Sequence, residues 1–182
     1  PSTIPIAHVA ANPSGAYIVA CGFTENIIVV TFDSQDQPSL QRIKLPDFFV
    51  YEVVPTENPN IFSFLVAVKS GGKYVISFDI TEFKEIQRIP VPNDSISITS
   101  IFNDDGYSKT VLFTSNSIWI LGEPQILYEV ESRVHSWLAI PPNRIILQLL
   151  NKKIIEIKTD EKVKKDRGSL PLISTFCHLS NN

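Results

Sequence analysis

Residues 6–33 read IAHVAANPSGAYIVACGFTENIIVVTFD, and this stretch decides the fold. Three runs, 6–11, 16–21 and 27–33, are rich in valine, isoleucine and aromatic residues. Asn12-Pro-Ser-Gly and Gly22-Phe-Thr-Glu-Asn separate them, with the residue types that reverse a chain. A fourth run, Leu40-Gln-Arg-Ile-Lys-Leu, alternates apolar with polar side chains, as a strand with one wet face does. Helical periodicity is almost absent, and thirteen prolines confine helices further. The expected unit is four antiparallel strands in chain order.

The same order recurs downstream. The second copy runs through Val50-Tyr-Glu-Val-Val, Ile61-Phe-Ser-Phe-Leu-Val-Ala-Val, Lys73-Tyr-Val-Ile-Ser-Phe-Asp and Glu85-Ile-Gln-Arg-Ile. The third is Ile98-Thr-Ser-Ile-Phe, Thr110-Val-Leu-Phe-Thr, Ser117-Ile-Trp-Ile-Leu and Gln125-Ile-Leu-Tyr-Glu-Val. The fourth is Val134-His-Ser-Trp-Leu-Ala-Ile, Arg144-Ile-Ile-Leu-Gln-Leu-Leu, Lys153-Ile-Ile-Glu-Ile and Lys162-Val-Lys-Lys. Leu172-Ile-Ser-Thr-Phe-Cys-His-Leu reads as the first strand of a fifth. First strands lie about 36 to 48 residues apart, the spacing of propeller blades. The units are expected at 6–46, 49–91, 98–131 and 134–167, with a fifth starting at 172–179. Inner strands are apolar at successive positions (Ile28, Val29, Val30), which predicts sheets buried on both faces by neighbouring sheets.

The chain resembles the WD40 family. Val9-Ala-Ala-Asn-Pro-Ser-Gly-Ala-Tyr-Ile-Val-Ala and Ile101-Phe-Asn-Asp-Asp-Gly-Tyr match its first strand, turn and second strand. Phe32-Asp33 and Phe78-Asp79 stand where the family often has Trp-Asp. No Gly-His pair is present, and the third and fourth copies lack the Phe-Asp dipeptide. The resemblance implies an all-β fold, a β-propeller of four-stranded antiparallel blades. Four blades and one strand imply an incomplete ring, the rest lying outside this chain or supplied by another polypeptide. Pro1 at the start and the lack of methionine point to a trimmed or partial chain. Phe32 and Phe78 are expected to pack alike into successive interfaces, with Asp33 and Asp79 accepting backbone hydrogen bonds at strand ends.

The 182 residues suffice for one sizeable core. Hydrophobic residues make up 43% and charged ones 19%, which excludes a disordered chain. A net charge of −3 argues against a broadly basic nucleic-acid-wrapping surface. Apolar stretches such as 61–68 are too short for a membrane span, and no signal peptide is read. Cys21 and Cys177 are expected to be buried reduced thiols of an intracellular, cytoplasmic or nuclear protein, although a disulfide between them stays open. The sequon at Asn93 is a pattern short enough to arise by chance.

No catalytic constellation, cofactor motif or metal set is read. His8, His135 and His178 fall on expected first strands, yet none has a carboxylate or second histidine at ligand spacing. Asn103-Asp-Asp-Gly lacks the alternating oxygen ligands of a calcium loop. Ser70-Gly-Gly-Lys has neither the spacing nor the helix of a phosphate loop.

Two surfaces remain. Segment 152–167 carries seven basic residues against four acidic ones, making Lys162, Lys164, Lys165 and Arg167 candidates for an acidic or phosphate-bearing partner. Pro46-Asp-Phe-Phe-Val-Tyr joins the first two units on a rim, making Phe48, Phe49 and Tyr51 candidate partner contacts. Phe48 and Phe49 are adjacent, so a strand sends them to opposite faces. The expected function is a non-enzymatic protein–protein interaction scaffold, a WD40-like subunit of a larger intracellular eukaryotic complex. Its partners are other protein subunits, one of which could complete the propeller. The alternatives are a propeller enzyme or small-ligand binder around His8 and His135, or nucleic-acid or phosphoinositide contact through 162–167.

Overall fold

The structure, a computed structural model, describes residues 5–103, 106, 108–123, 126–161 and 163–172. Among these the chain forms sixteen strands in four antiparallel four-stranded sheets, and no helix. Each sheet is a meander in which strands adjacent in sequence are adjacent in space. The first holds β1 (His8–Ala11), β2 (Tyr17–Cys21), β3 (Asn26–Phe32) and β4 (Pro38–Lys44). The second holds β5 (Phe48–Pro55), β6 (Ile61–Val68), β7 (Lys73–Asp79) and β8 (Lys84–Val91). The third holds β9 (Ser97–Phe102), β10 (Ser108–Phe113), β11 (Ser117–Ile120) and β12 (Ile126–Glu129). The fourth holds β13 (Val134–Ile140), β14 (Arg144–Leu149), β15 (Lys153–Lys158) and β16 (Val163–Ser169). The four-strand unit of the sequence is thus the four-stranded sheet of the structure. The chain divides into two compact units, Pro1–Ile98 and Thr99–Asn182, the division falling inside β9.

In the first unit, sheet register decides the core. Val19 pairs with Val29 and Val29 with Gln41, while Cys21 pairs with Ile27 and Ile27 with Ile43. Side chains alternate along a strand, so Ala10, Val19, Cys21, Ile27, Val29 and Ile43 share one face. They form one buried cluster with Phe48, Val50, Val53, Phe62, Phe64 and Ile76 of the second sheet. Each such valine, isoleucine or phenylalanine stabilises the fold by about 1.5–3 kcal/mol on burial. The opposite face of the first sheet departs from the expectation of two covered faces. There Ile18, Ile28 and Val30 are half-buried, and Val9, Phe32 and Leu40 are exposed.

That departure corrects the reading of Phe32. Phe32 and Phe78 both lie at the ends of third strands, but Phe78 is 6% exposed and Phe32 is 41% exposed. The covered face is the reason, with strand pairing secondary: Phe78 joins the buried cluster shared with the first sheet, whereas Phe32 lies with Ile28 and Val30 on the face of the first sheet turned away from that cluster. Phe78 is paired on both sides, with Phe62 and Glu85, whereas β2 begins opposite Thr31 and leaves Phe32 paired only with Pro38. The aspartates behave as expected. Asp33 Oδ1 accepts the N–H groups of Gln35 (2.8 Å) and Gln37 (2.9 Å). Asp79 Oδ1 accepts those of Thr81 (2.8 Å) and Glu82 (3.0 Å) and the Thr81 hydroxyl (2.7 Å).

In the second unit, Leu112, Phe113, Ile118, Ile145, Leu147 and Leu149 are fully buried. Phe113 stacks on Trp137 at 4.9 Å between ring centroids. The hairpins at Ser115-Asn116 and Asn151-Lys152 join antiparallel neighbours, and Lys152 adopts a left-handed φ of 73°. Buried Gln148 donates Nε2–H to the carbonyls of Leu170 (3.1 Å) and Pro171 (2.9 Å), pinning the chain as it leaves β16. The expected fifth first strand lies, apart from Leu172, outside the described residues, as do Cys177 and His178.

Candidate functional site

The link between β4 and β5 builds a site in the first unit. Asp47 takes a left-handed φ of 72°, and the turn closes with Phe48 N–H on the Leu45 carbonyl at 3.3 Å. The link is stitched at both sides. Lys69 N–H reaches the Asp47 carbonyl and Val50 N–H the Thr24 carbonyl, each at 3.0 Å. So held, Phe48 turns inward (8% exposed) and Phe49 outward (41%), as their adjacency requires.

Phe48 forms part of the floor of a groove of about 560 Å³ between β4 and the β7–β8 hairpin. Leu45, Ile76 and Phe78 are apolar along it, while Arg42, Lys44 and Arg88 bring positive charge. The Arg88 guanidinium lies 4.9 Å from the Phe48 ring centroid and 5.8 Å from that of Tyr74. Glu85 fixes it through two bonds, Nε–H to Oε1 (2.8 Å) and Nη2–H to Oε2 (2.7 Å). A smaller adjoining cavity of about 360 Å³ shares Pro46, Phe48 and Arg88 and adds Asp47, Lys69 and Ser70.

Phe83 lines the same groove from the β7–β8 turn. Its φ is 55° and its side chain is 48% exposed. A bulky residue there costs roughly 1–2 kcal/mol, which glycine would avoid. Phe23, in the β2–β3 turn, repeats the pattern with φ 41° and 59% exposure. Strain spent on holding an aromatic ring in water is a mark of a binding surface.

Phe23 joins a second group. A register shift in β5 between Val50 and Glu52 makes Tyr51 the extra residue of a bulge. Tyr51 meets Phe23 edge to face at 5.6 Å, and Lys73 Nζ sits 5.4 Å from the Tyr51 ring centroid. Lys73 also donates to the Ser95 carbonyl at 2.6 Å. Phe49 lies under Lys69, whose Nζ is 6.0 Å from the ring centroid. Lys69 and Lys44 both pair with Glu25. The bond from Lys69 holds the Glu25 carboxyl below its ordinary range.

Beneath this group Glu52 is buried. It accepts the Ser97 hydroxyl and the Ile98 N–H (2.7 Å), and its Oε1 stands 3.6 Å from His8 Nδ1. Burial pushes its carboxyl above the ordinary range, against the pull of those bonds and of His8. Cys21 is buried beside it, its thiol pushed up to about 12 by burial and by Glu52. His135 lies in the second unit, exposed on β13. Among the described residues no three histidine, cysteine, aspartate or glutamate side chains gather as a metal would need.

The basic segment is placed less favourably than its composition suggested. Lys164, Lys165 and Arg167 lie on β16, while Lys162 falls outside the described residues. Arg167 is bound to Glu156 through Nε (2.6 Å) and Nη2, and Arg144 lies 3.8 Å from the same carboxylate. Lys153 pairs with Glu131, and Lys158 with Glu161 at 2.9 Å. Four of the cations near this strand therefore already have carboxylate partners, Arg167 and Arg144 sharing one.

Sequence reasoning named Phe48, Phe49 and Tyr51 as candidates and passed over Phe23, Phe83 and Arg88. The available signal was a phenylalanine in each of two turns, of which the β7–β8 turn also lacks glycine and asparagine. Arg88 had none, being one polar residue of an alternating outer strand. Neither family models nor curated proteins match this chain. No helix among the described residues is long and apolar enough to cross a membrane.

Proposed function

We propose that the chain is a non-enzymatic interaction platform, a WD40-like propeller segment serving as one subunit of a larger intracellular assembly. The observation that carries this reading is the groove between β4 and the β7–β8 hairpin. It combines an apolar floor, fixed Arg88 and a strained, exposed Phe83, with Phe49, Tyr51 and Phe23 on the adjoining rim. Aromatic and arginine side chains around a desolvated centre are the usual carriers of protein–protein affinity. Four successive meander sheets support the propeller. The half-open face of Ile18, Ile28, Val30 and Leu40 supports an incomplete ring, to which a further sheet from another polypeptide adds.

The test is recovery of partners from native lysate with the wild-type chain and with Phe49→Asp and Phe83→Asn. A partner retained by the wild type and lost by either variant supports the platform. Recovery of no stable partner, or recovery indifferent to both variants, overturns it.

A second reading has its own observation. The Glu52 carboxylate under His8 Nδ1 leaves Nε2 of that half-exposed imidazole for a small ligand or a proton-transfer step. Retention of a metal or small molecule by the purified chain, lost in His8→Ala, distinguishes it.

A further inference from the structure

We propose that the groove takes an extended segment of a partner protein, acidic and apolar by turns, which adds to the outer edge of β4 and seats one apolar side chain against Phe83. This inference rests on the interaction-platform reading and names the chemistry of the partner.

The geometry comes first. Six consecutive residues, 41–46, line the groove. Consecutive strand residues point to opposite faces, so a cavity touching all of them runs along the backbone edge rather than over one face. That edge is open among the described residues, where β4 ends its sheet and pairs only with β3. An edge strand turns alternate N–H and C=O groups outward, where an added strand can satisfy them.

Charge selects the occupant. Arg42, Lys44 and Arg88 line the groove with Glu85, and Lys44 also pairs with Glu25, so the three cations still outnumber these two carboxylates. The bonds to Glu85 use Nε–H and Nη2–H of Arg88 and not its Nη1 hydrogens. A carboxylate is the natural acceptor for them. The apolar part of the segment is set by Phe83, Phe78 and Ile76. Single-stranded nucleic acid fits less well. It needs successive open stacking faces, and here Arg88 covers Phe48, leaving Phe83 as the one exposed ring of the groove.

The experiment is fluorescence anisotropy on the whole chain with a labelled eight-residue peptide alternating glutamate and phenylalanine. It should bind at least about tenfold more tightly than its lysine–phenylalanine counterpart, and severalfold more weakly at high than at low salt. Phe83→Asn should weaken binding about tenfold without lowering the unfolding temperature, since asparagine tolerates left-handed backbone. Arg88→Gln should weaken binding and flatten the salt dependence. Methylating alternate amide nitrogens of the probe should abolish binding, because an added strand needs those donors. Equal binding of the two probes, indifference to Phe83→Asn and Arg88→Gln together, or undiminished binding of the methylated probe overturns the inference. So does displacement of the probe by oligothymidylate at equal concentration. If the probe fails while a native partner is still lost with Phe49→Asp, this inference falls and the platform stands. Loss of native capture altogether removes the platform itself.

Discussion

The buried carboxylate of Glu52 on β5 accepts the backbone N–H of Ile98 at 2.7 Å, forty-six residues away in sequence. One side chain thus satisfies a backbone donor in the segment that follows β8, and the Ser97 hydroxyl beside it. Buried charge is tolerated when its hydrogen-bonding capacity is met. Here two donors and the His8 imidazole meet it.

Glu52→Ala leaves that amide without a partner and should cost about 1–3 kcal/mol in urea unfolding. The pH response has a definite sign. Burial raises the folded-state carboxyl above its ordinary value of 4.5, so the folded chain binds this proton more tightly than the unfolded one. The associated stability is fully present below the unfolded value and is lost as pH rises through the folded one. The wild type should therefore gain on Glu52→Gln as pH falls from neutrality toward that range. A difference that stays level, or that shrinks on acidification, counts against the assignment.

Phe78→Ala should cost ~3–5 kcal/mol, because a buried ring is replaced by a cavity. Phe32→Ala, at the equivalent strand end but exposed, should change stability by only about 0.5 kcal/mol. Paired denaturation curves read the difference directly. Equal costs would mean that Phe32 is covered.

Gly22 allows the chain to cross itself. A Cβ there would stand 2.0 Å from the Pro5 carbonyl oxygen and 2.9 Å from Ala7 N. Gly22→Ala must push the 5–7 segment away and break the Ala7 N–H bond to the Cys21 carbonyl (2.9 Å). A loss of about 1–3 kcal/mol is expected, with faster hydrogen exchange at Ala7. Unchanged exchange at that amide would place the strain elsewhere.

Glu156 sits between Arg167 and Arg144, and the bond from Arg167 holds its carboxyl below the ordinary range. A depressed folded value contributes stability above the unfolded value, lost as pH falls through the folded one. The wild type should be more stable than Glu156→Gln at neutral pH, and the two should converge in acid. Lys164→Glu should change stability by only about 0.5 kcal/mol, since that side chain is exposed. Parallel acid-denaturation curves for the wild type and Glu156→Gln would sink the first expectation.

What the sequence determined by itself is the local and repetitive part. Alternating and continuous apolar runs, interrupted by residues that turn a chain, specify strands, their order and the four-strand unit, because strand formation and tight hairpins depend on neighbours in the chain. That Phe48 and Phe49 face opposite sides, and that Asp33 and Asp79 cap strand ends, followed from the same short-range geometry. Tertiary structure alone decided the rest. Phe32 and Phe78 share a dipeptide and a strand position, yet only Phe78 is buried, because burial depends on which sheet face another sheet covers. Glu52 meets Ile98, Phe83 faces a groove beside β4, and Arg88 settles over Phe48 through contacts between residues distant in sequence. Those contacts are set by sheet register and by a bulge at Tyr51, neither of which leaves a mark in the alternation of apolar and polar residues.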